Sequence, residues 1–141
     1  MQHFPLPSGG KLRSVAENRA LVQRYIEEGW NKGVVDLVDE LYHPSFGGGS
    51  YGGIPGLKSA MTLYRRSFPD LHFTIEDLTA EDERIAYRWT SRGTHQGDYV
   101  GIAPTGKPIT VTGITILHIV DGRITDDRTE SNIHTLTEQL E

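Results

Sequence analysis

The stretch RIAYRWTSR, residues 84–92, alternates strictly: Ile85, Tyr87, Trp89 and Ser91 fall on one side of an extended chain, and Arg84, Ala86, Arg88, Thr90 and Arg92 on the other. Period 2, with apolar residues opposite arginines, is the pattern of a strand with one buried face and one wet face. Upstream, Leu71, Phe73 and Ile75 alternate with His72, Thr74 and Glu76, which predicts another strand. Downstream, Ile109 to Val120 contains six Ile or Val and three Thr, a β-branched composition that favours extended backbone. Asp121-Gly122 then marks a two-residue hairpin before Arg123 to Ser131, so the last two strands are expected to pair antiparallel.

The N-terminal half has a helical period. Ser14 and Glu17 have capping-box spacing. Val15, Leu21, Val22, Tyr25 and Ile26 recur on one helical face, and the pattern ends near Trp30-Asn31-Lys32-Gly33, where Gly33 suits a left-handed cap. A short helix over Val34 to Leu41 carries Leu37, Val38 and Leu41 as its buried stripe and stops at Tyr42-His43-Pro44. A third helix runs from Leu57 to Phe68 and is closed by Pro69. Between them, residues 46–56 hold six glycines and read as a loop that can act as a lid, with Tyr51 as a candidate ligand contact. His134 to Leu140 has room for a terminal helix.

Helices first and strands later indicate an α+β fold, a cone-shaped curved antiparallel sheet packed on three N-terminal helices, and a cone has a mouth. Residues 1–13 read as a flexible N-terminal tail, and 14–141 as a single domain. Net charge is -5 and no run of Lys or Arg occurs, which argues against nucleic acid or an anionic membrane as partner and favours a small apolar organic ligand. The absence of cysteine excludes disulfides, thiolate metal sites and a thiol nucleophile. No apolar run approaches the roughly 20 residues of a spanning helix. The first residues lack a basic start followed by an apolar block, which leaves the cytoplasm as the expected location.

Six histidines occur, none at i, i+2 or i, i+4 from another, so no metal site is expected. His72 and His118 read as surface strand positions, and His95, after Gly93-Thr94, as an exposed turn residue. Phosphate-loop, G-x-S-x-G and H-E-x-x-H patterns are absent. The densest polar cluster is Thr125-Asp126-Asp127-Arg128-Thr129-Glu130-Ser131-Asn132, on the final strand. One reading is a charged edge strand that discourages aggregation. The other is that one face, either Asp127, Thr129 and Ser131 or Asp126, Arg128 and Glu130, points into the cone. A carboxylate held there among Tyr87, Trp89 and aliphatic side chains has its pKa raised by desolvation, which suits a general acid or base. Period 2 alone does not choose the face.

Several ordered segments together resemble the SnoaL-like polyketide cyclases, also called ester cyclases. They are Arg88-Trp89-Thr90, Gly93-Thr94-His95-Gln96-Gly97, Gly101-Ile102-Ala103-Pro104-Thr105-Gly106-Lys107 and Val120-Asp121-Gly122-Arg123-Ile124. Trp30-Asn31-Lys32-Gly33, His43-Pro44 and Phe68-Pro69-Asp70-Leu71 add to the resemblance, which runs from about Val15 to Leu140. It implies the cone-shaped fold of nuclear transport factor 2 and ketosteroid isomerase, a homodimer packed through the open sheet face, and a mechanism without cofactors. It also implies that Trp30 lines the pocket. Cyclases of this family close a ring by intramolecular aldol chemistry, with an Asp on the last strand as acid/base and a His on the preceding strand in support. By register from the hairpin those positions are Thr129 and Thr115 here. A threonine hydroxyl hydrogen-bonds a carbonyl but does not exchange a proton near neutral pH as a carboxylate does.

The expected function is therefore a cofactor-independent cyclase or isomerase of a small, largely apolar, polyketide-like substrate. Asp127 or Glu130 would carry the proton, Thr129 and Thr115 would bond a substrate oxygen, and Trp30, Tyr51, Tyr87, Trp89 and Ser131 would line the pocket. Two alternatives stand beside it: a non-catalytic ligand-binding protein, favoured by the two threonines, and an epoxide-opening enzyme using a carboxylate-activated water.

Overall fold

In the structure, a computed structural model that describes residues 14–47 and 51–141, the chain opens with helix α1, Val15–Arg24. The tail expected over 1–13 and residues 48–50 of the glycine loop lie outside the described residues. Ser14 Oγ accepts from the Glu17 amide at 3.0 Å while the Glu17 carboxylate accepts from the Ser14 amide at 3.1 Å, a complete capping box. Helix α1 continues without a break as a π-helical segment, Tyr25–Asn31, before Gly33 turns the chain at φ 74°. Helix α2, Leu37–Leu41, is shorter than its sequence pattern, because Val34 and Val35 form a turn tied by Val35 N to Gly33 O. Helix α3, Ile54–Ser67, starts three residues earlier than expected, with Pro55 in its first turn, where a missing amide costs nothing.

Four strands follow as a meander: β1 His72–Glu81, β2 Arg84–Thr94, β3 Pro108–Val120 and β4 Arg123–Ser131, paired in that order and antiparallel throughout. Asp121 and Gly122 sit at φ 55° and 76°, the two positive dihedrals of a type I′ hairpin. A 3-10 turn, Ile133–Thr135, and helix α4, Leu136–Gln139, complete the chain. The inner face of the sheet carries Ile85, Tyr87, Trp89, Ile109, Val111, Leu117, Ile119 and Ile124, which bury against Leu21, Val22, Ile26, Leu57, Met61 and Phe68 from the helices. The outer face keeps Arg84, Arg88 and Arg92 in solvent, together with half-exposed Ile114 and Ile116. Among the described residues, no helix is long and apolar enough to cross a membrane.

Two bulges bend the sheet. One falls between Ile75 and Asp77 in β1, the other between His118/Ile119 of β3 and the facing part of β4. At the second, Ile119 pairs with Ile124 but His118 pairs with Asp126, so Thr125 is the extra residue and its hydroxyl caps the His118 carbonyl at 3.2 Å. One added residue reverses the inside-outside parity of everything beyond it. Ile124 faces in, and after the bulge so do Asp127, Thr129 and Ser131.

His95 corrects its sequence reading. It is fully buried, not exposed: its ring packs on Phe68 with centroids 5.6 Å apart, and Nδ1 accepts from the Thr105 amide at 3.1 Å. The segment Gly93-Thr94-His95-Gln96-Gly97 is a clamp rather than a free turn. The amides of Gln96 and Gly97 both donate to Ser67 O at the end of α3, and Asp70 accepts from the Thr94 amide at 2.7 Å and hydroxyl at 2.8 Å. A side chain at Gly97 would place Cβ 2.1 Å from Arg66 O, so only glycine fits that approach.

Candidate functional site

The concave face of the sheet and the helices enclose a cavity of about 430 Å³. One wall is aromatic. Trp30 and Phe73 have centroids 4.8 Å apart and Phe73 and Trp89 5.1 Å, an offset series continued by Tyr64 at 6.4 Å from Trp30. Asn31 aligns this wall: its side chain donates to Phe73 O at 3.0 Å and accepts from Phe73 N at 2.7 Å, which fixes the end of the first helix against β1. Ile109, Val111, Ile133 and Leu136 supply aliphatic lining.

The polar end is built by β3 and β4. Thr115 and Thr129 are cross-strand partners, and their hydroxyl oxygens are 2.8 Å apart. Trp89 Nε1 donates to Thr115 Oγ1 at 3.0 Å, Thr129 Oγ1 donates to Asp127 Oδ1 at 3.2 Å, and Tyr42 Oη donates to Asp127 Oδ2 at 2.7 Å. Asp127 is 2% exposed, and among the described residues that line the cavity it is the one carboxylate and no Lys, Arg or His accompanies it. Burial pushes its pKa up, while the bonds from Tyr42 and Thr129 oppose that push. The nearby phenols are displaced too: burial first, and then the Asp127 charge, raise Tyr25, Tyr51 and Tyr87 well beyond the ordinary range. Tyr42 rises through burial, then through Tyr25 and Asp127. These tyrosines remain neutral hydrogen-bonding groups at any working pH.

Trp30, Tyr51, Tyr87, Trp89, Thr115, Asp127, Thr129 and Ser131 all line this one cavity. Glu130 does not join them. It is exposed on the outer face opposite Ile114, beside the Arg128–Asp126 ion pair, because the Thr125 bulge turned that face outward. The sequence reading missed Tyr25 and Tyr42, which served there as helix core and helix end. The available signal was chemical: a fully buried Tyr in place of Phe implies a partner for its hydroxyl. Tyr25 accepts from Trp30 Nε1 at 2.9 Å, a contact between residues five apart that the π-helical segment creates. On a regular α-helix they would point about 140° apart.

Residues 20–140 match the family model described as SnoaL-like polyketide cyclase. An aklanonic acid methyl ester cyclase of Streptomyces galilaeus, AcmA, is 27% identical over 118 residues, which are 78% of this chain and 81% of that protein. Among solved structures, AclR, a candidate hydroxylase of Streptomyces galilaeus, is 27% identical with a TM-score of 0.81, over 90% of this chain and 86% of that one. A candidate SnoaL-like polyketide cyclase from Jannaschia has the same fold at a TM-score of 0.77 and 20% identity, over 99% and 96% of the two chains.

Proposed function

The chain belongs to the SnoaL-like polyketide cyclase family, and from that premise we propose that it is a cofactor-independent cyclase or isomerase of a neutral, polyketide-like molecule, with Asp127 as its acid/base. The observation that carries this reading is the position of Asp127: a buried carboxylate at the polar end of an aromatic cavity, bonded to Thr129. The family's acid/base position is threonine here, and the carboxylate sits two residues earlier on the same inward face.

In an intramolecular aldol closure, Asp127 removes a proton from a carbon next to a carbonyl. The electron pair left behind forms the new carbon–carbon bond to a second carbonyl carbon, and the oxygen of that carbonyl takes the proton back from Asp127. Atoms and electrons balance without an added reactant. Thr129 and Thr115 bond a substrate oxygen or pass the proton along: a proton received on Thr129 Oγ1 releases the one that Thr129 already shares with Asp127. Walls that hold the two reacting carbons together contribute through orientation, up to roughly 7–11 kcal/mol in favourable intramolecular cases.

Ketone proton exchange tests the base without the natural substrate. With 2-tetralone in D₂O, the chain should accelerate deuterium uptake at the carbon beside the carbonyl, Asp127→Asn should abolish that acceleration, and Glu130→Gln should keep it. Acceleration retained by Asp127→Asn overturns the assignment. Binding of 2-tetralone without exchange by the unaltered chain favours the non-catalytic reading.

The same premise extends to assembly. We infer a homodimer through the outer sheet face, supported by Ile114 and Ile116, which are 51% and 45% exposed at its centre, between Arg88 on β2 and Glu130 and Arg128 on β4. Mixed charges around an apolar centre suit a self-complementary surface.

A further inference from the structure

Tyr42 reaches Asp127 from outside the cavity. It is fully buried, lies between α2 and α3, pairs with Ile124 by a parallel bridge, and stands behind the residues that line the cavity. Its ring is held edge-on by Tyr25 at 5.5 Å and Phe46 at 4.9 Å. The single hydroxyl proton is directed to Asp127 Oδ2 at 2.7 Å.

Counting protons gives this arm a direction. An indole N–H can only donate, so Tyr25 Oη accepts from Trp30 Nε1, and the Tyr25 proton is left for another acceptor. Tyr25 meets Tyr42 through an edge-on ring contact at 5.5 Å, and Tyr42 donates its own proton to Asp127. On the other side, Trp89 donates to Thr115, and Thr129 donates to the second carboxylate oxygen. A chain of donors that starts from Trp89 and passes through Thr115 and Thr129, and the Tyr42 hydroxyl on the other side, thus converge on one acceptor-only carboxylate.

We propose that Tyr42 is a positioning residue for Asp127: its hydroxyl fixes the carboxylate from behind, favours the anionic form, and leaves Oδ1 aimed at Thr129. The proposal deepens the reading of Asp127 as acid/base and rests on it for its functional meaning. Among the described residues, the titratable groups that act on Asp127 or feel its charge are Tyr25 from the π-helical segment, Tyr42 after α2, Tyr51 before α3, Tyr87 on β2 and Asp126 on β4, with no cation among them. Without the Tyr42 donor, desolvation acts on the anion with less opposition.

The test is a carbon-13 NMR titration of the Asp127 carboxyl, assigned through Asp127→Asn. Tyr42→Phe keeps the ring and removes the hydroxyl, and should raise the Asp127 midpoint by about 1–2 pH units, the scale of one hydrogen bond to a charged group. An unchanged midpoint overturns the proposal. The unaltered chain supplies a second readout should Tyr42→Phe not fold. The Tyr42 hydroxyl proton should give a slowly exchanging downfield signal that moves with the Asp127 midpoint, and absence of that signal, or movement at a different pH, overturns the proposal as well. Both measurements need no substrate, so they separate from the exchange assay. A raised midpoint in Tyr42→Phe alongside full 2-tetralone exchange in Asp127→Asn would uphold the positioning and remove the acid/base role.

Discussion

The indole of Trp89 bonds to Thr115 at 3.0 Å, although its cross-strand partner is Gly113. The ring lies over the glycine and reaches the diagonal neighbour. A Cβ at position 113 would stand 2.4 Å from Trp89 Cζ2 and 2.9 Å from Glu130 O. Gly113→Ala should therefore displace the indole, break its bond to Thr115 and cost about 1–3 kcal/mol, as overpacking of a close-fitted site does. Denaturant unfolding and tryptophan emission check this; unchanged midpoint and emission would show that the ring has room to adjust.

Asp127 sets a pH dependence of stability whose sign follows from burial. Its pKa is raised above the ordinary 3.8, so the folded chain holds this proton more tightly than the unfolded chain does. Well below the ordinary value both states are protonated and nothing is lost. Stability then falls as pH rises from there through the folded midpoint, and the loss is complete above it. The stability difference between the unaltered chain and Asp127→Asn should move in favour of the unaltered chain on acidification across that window. A difference that is flat with pH contradicts the buried, raised carboxylate.

Charge should decide which ligands enter. The described lining contains one carboxylate and no cationic side chain, with Trp30 and Trp89 in the wall. Naphthalene-2-methanol should quench tryptophan emission and bind measurably by calorimetry. The anion 2-naphthoate should bind at least about tenfold more weakly, since a second negative charge there lacks both solvent and a partner. Equal affinity for the two would refute this electrostatic picture.

The dimer proposed above predicts that light scattering at tens of micromolar reports twice the chain mass of 15.7 kDa. Ile116→Glu, on the outer face opposite Arg128 and away from the cavity, should shift the particle to monomer while leaving naphthalene-2-methanol binding intact. A monomer in the unaltered chain ends the proposal.

Much of the fold was legible in local pattern. The Ser14–Glu17 box, the Leu37, Val38 and Leu41 stripe, the alternation of residues 84–92 and the Asp121-Gly122 hairpin each depend on residues within a few positions of one another, and each is realised. The pairing of Thr115 with Thr129 was not legible in this way: unbroken register from the hairpin sets Thr115 opposite Arg128, and the bulge at Thr125 moves the pairing on to Thr129. Helix ends were less so: the start of α3 at Ile54 depends on a proline accepted in its first turn rather than on the hydrophobic period.

Sequence by itself therefore determined the elements, their order and the residues available for chemistry. Tertiary structure alone decided three things. Thr125 bulges out where the sheet bends, which turns Asp127 inward and Glu130 outward; parity is local, but the place of a bulge depends on how the whole sheet wraps its core. The π-helical segment brings Trp30 to Tyr25, a geometry that an α-helical period does not contain. His95 is buried because Phe68 and Thr105, 27 residues before it and 10 after it, close around its ring, and the burial of a polar side chain is set by such distant partners rather than by its neighbours in the chain.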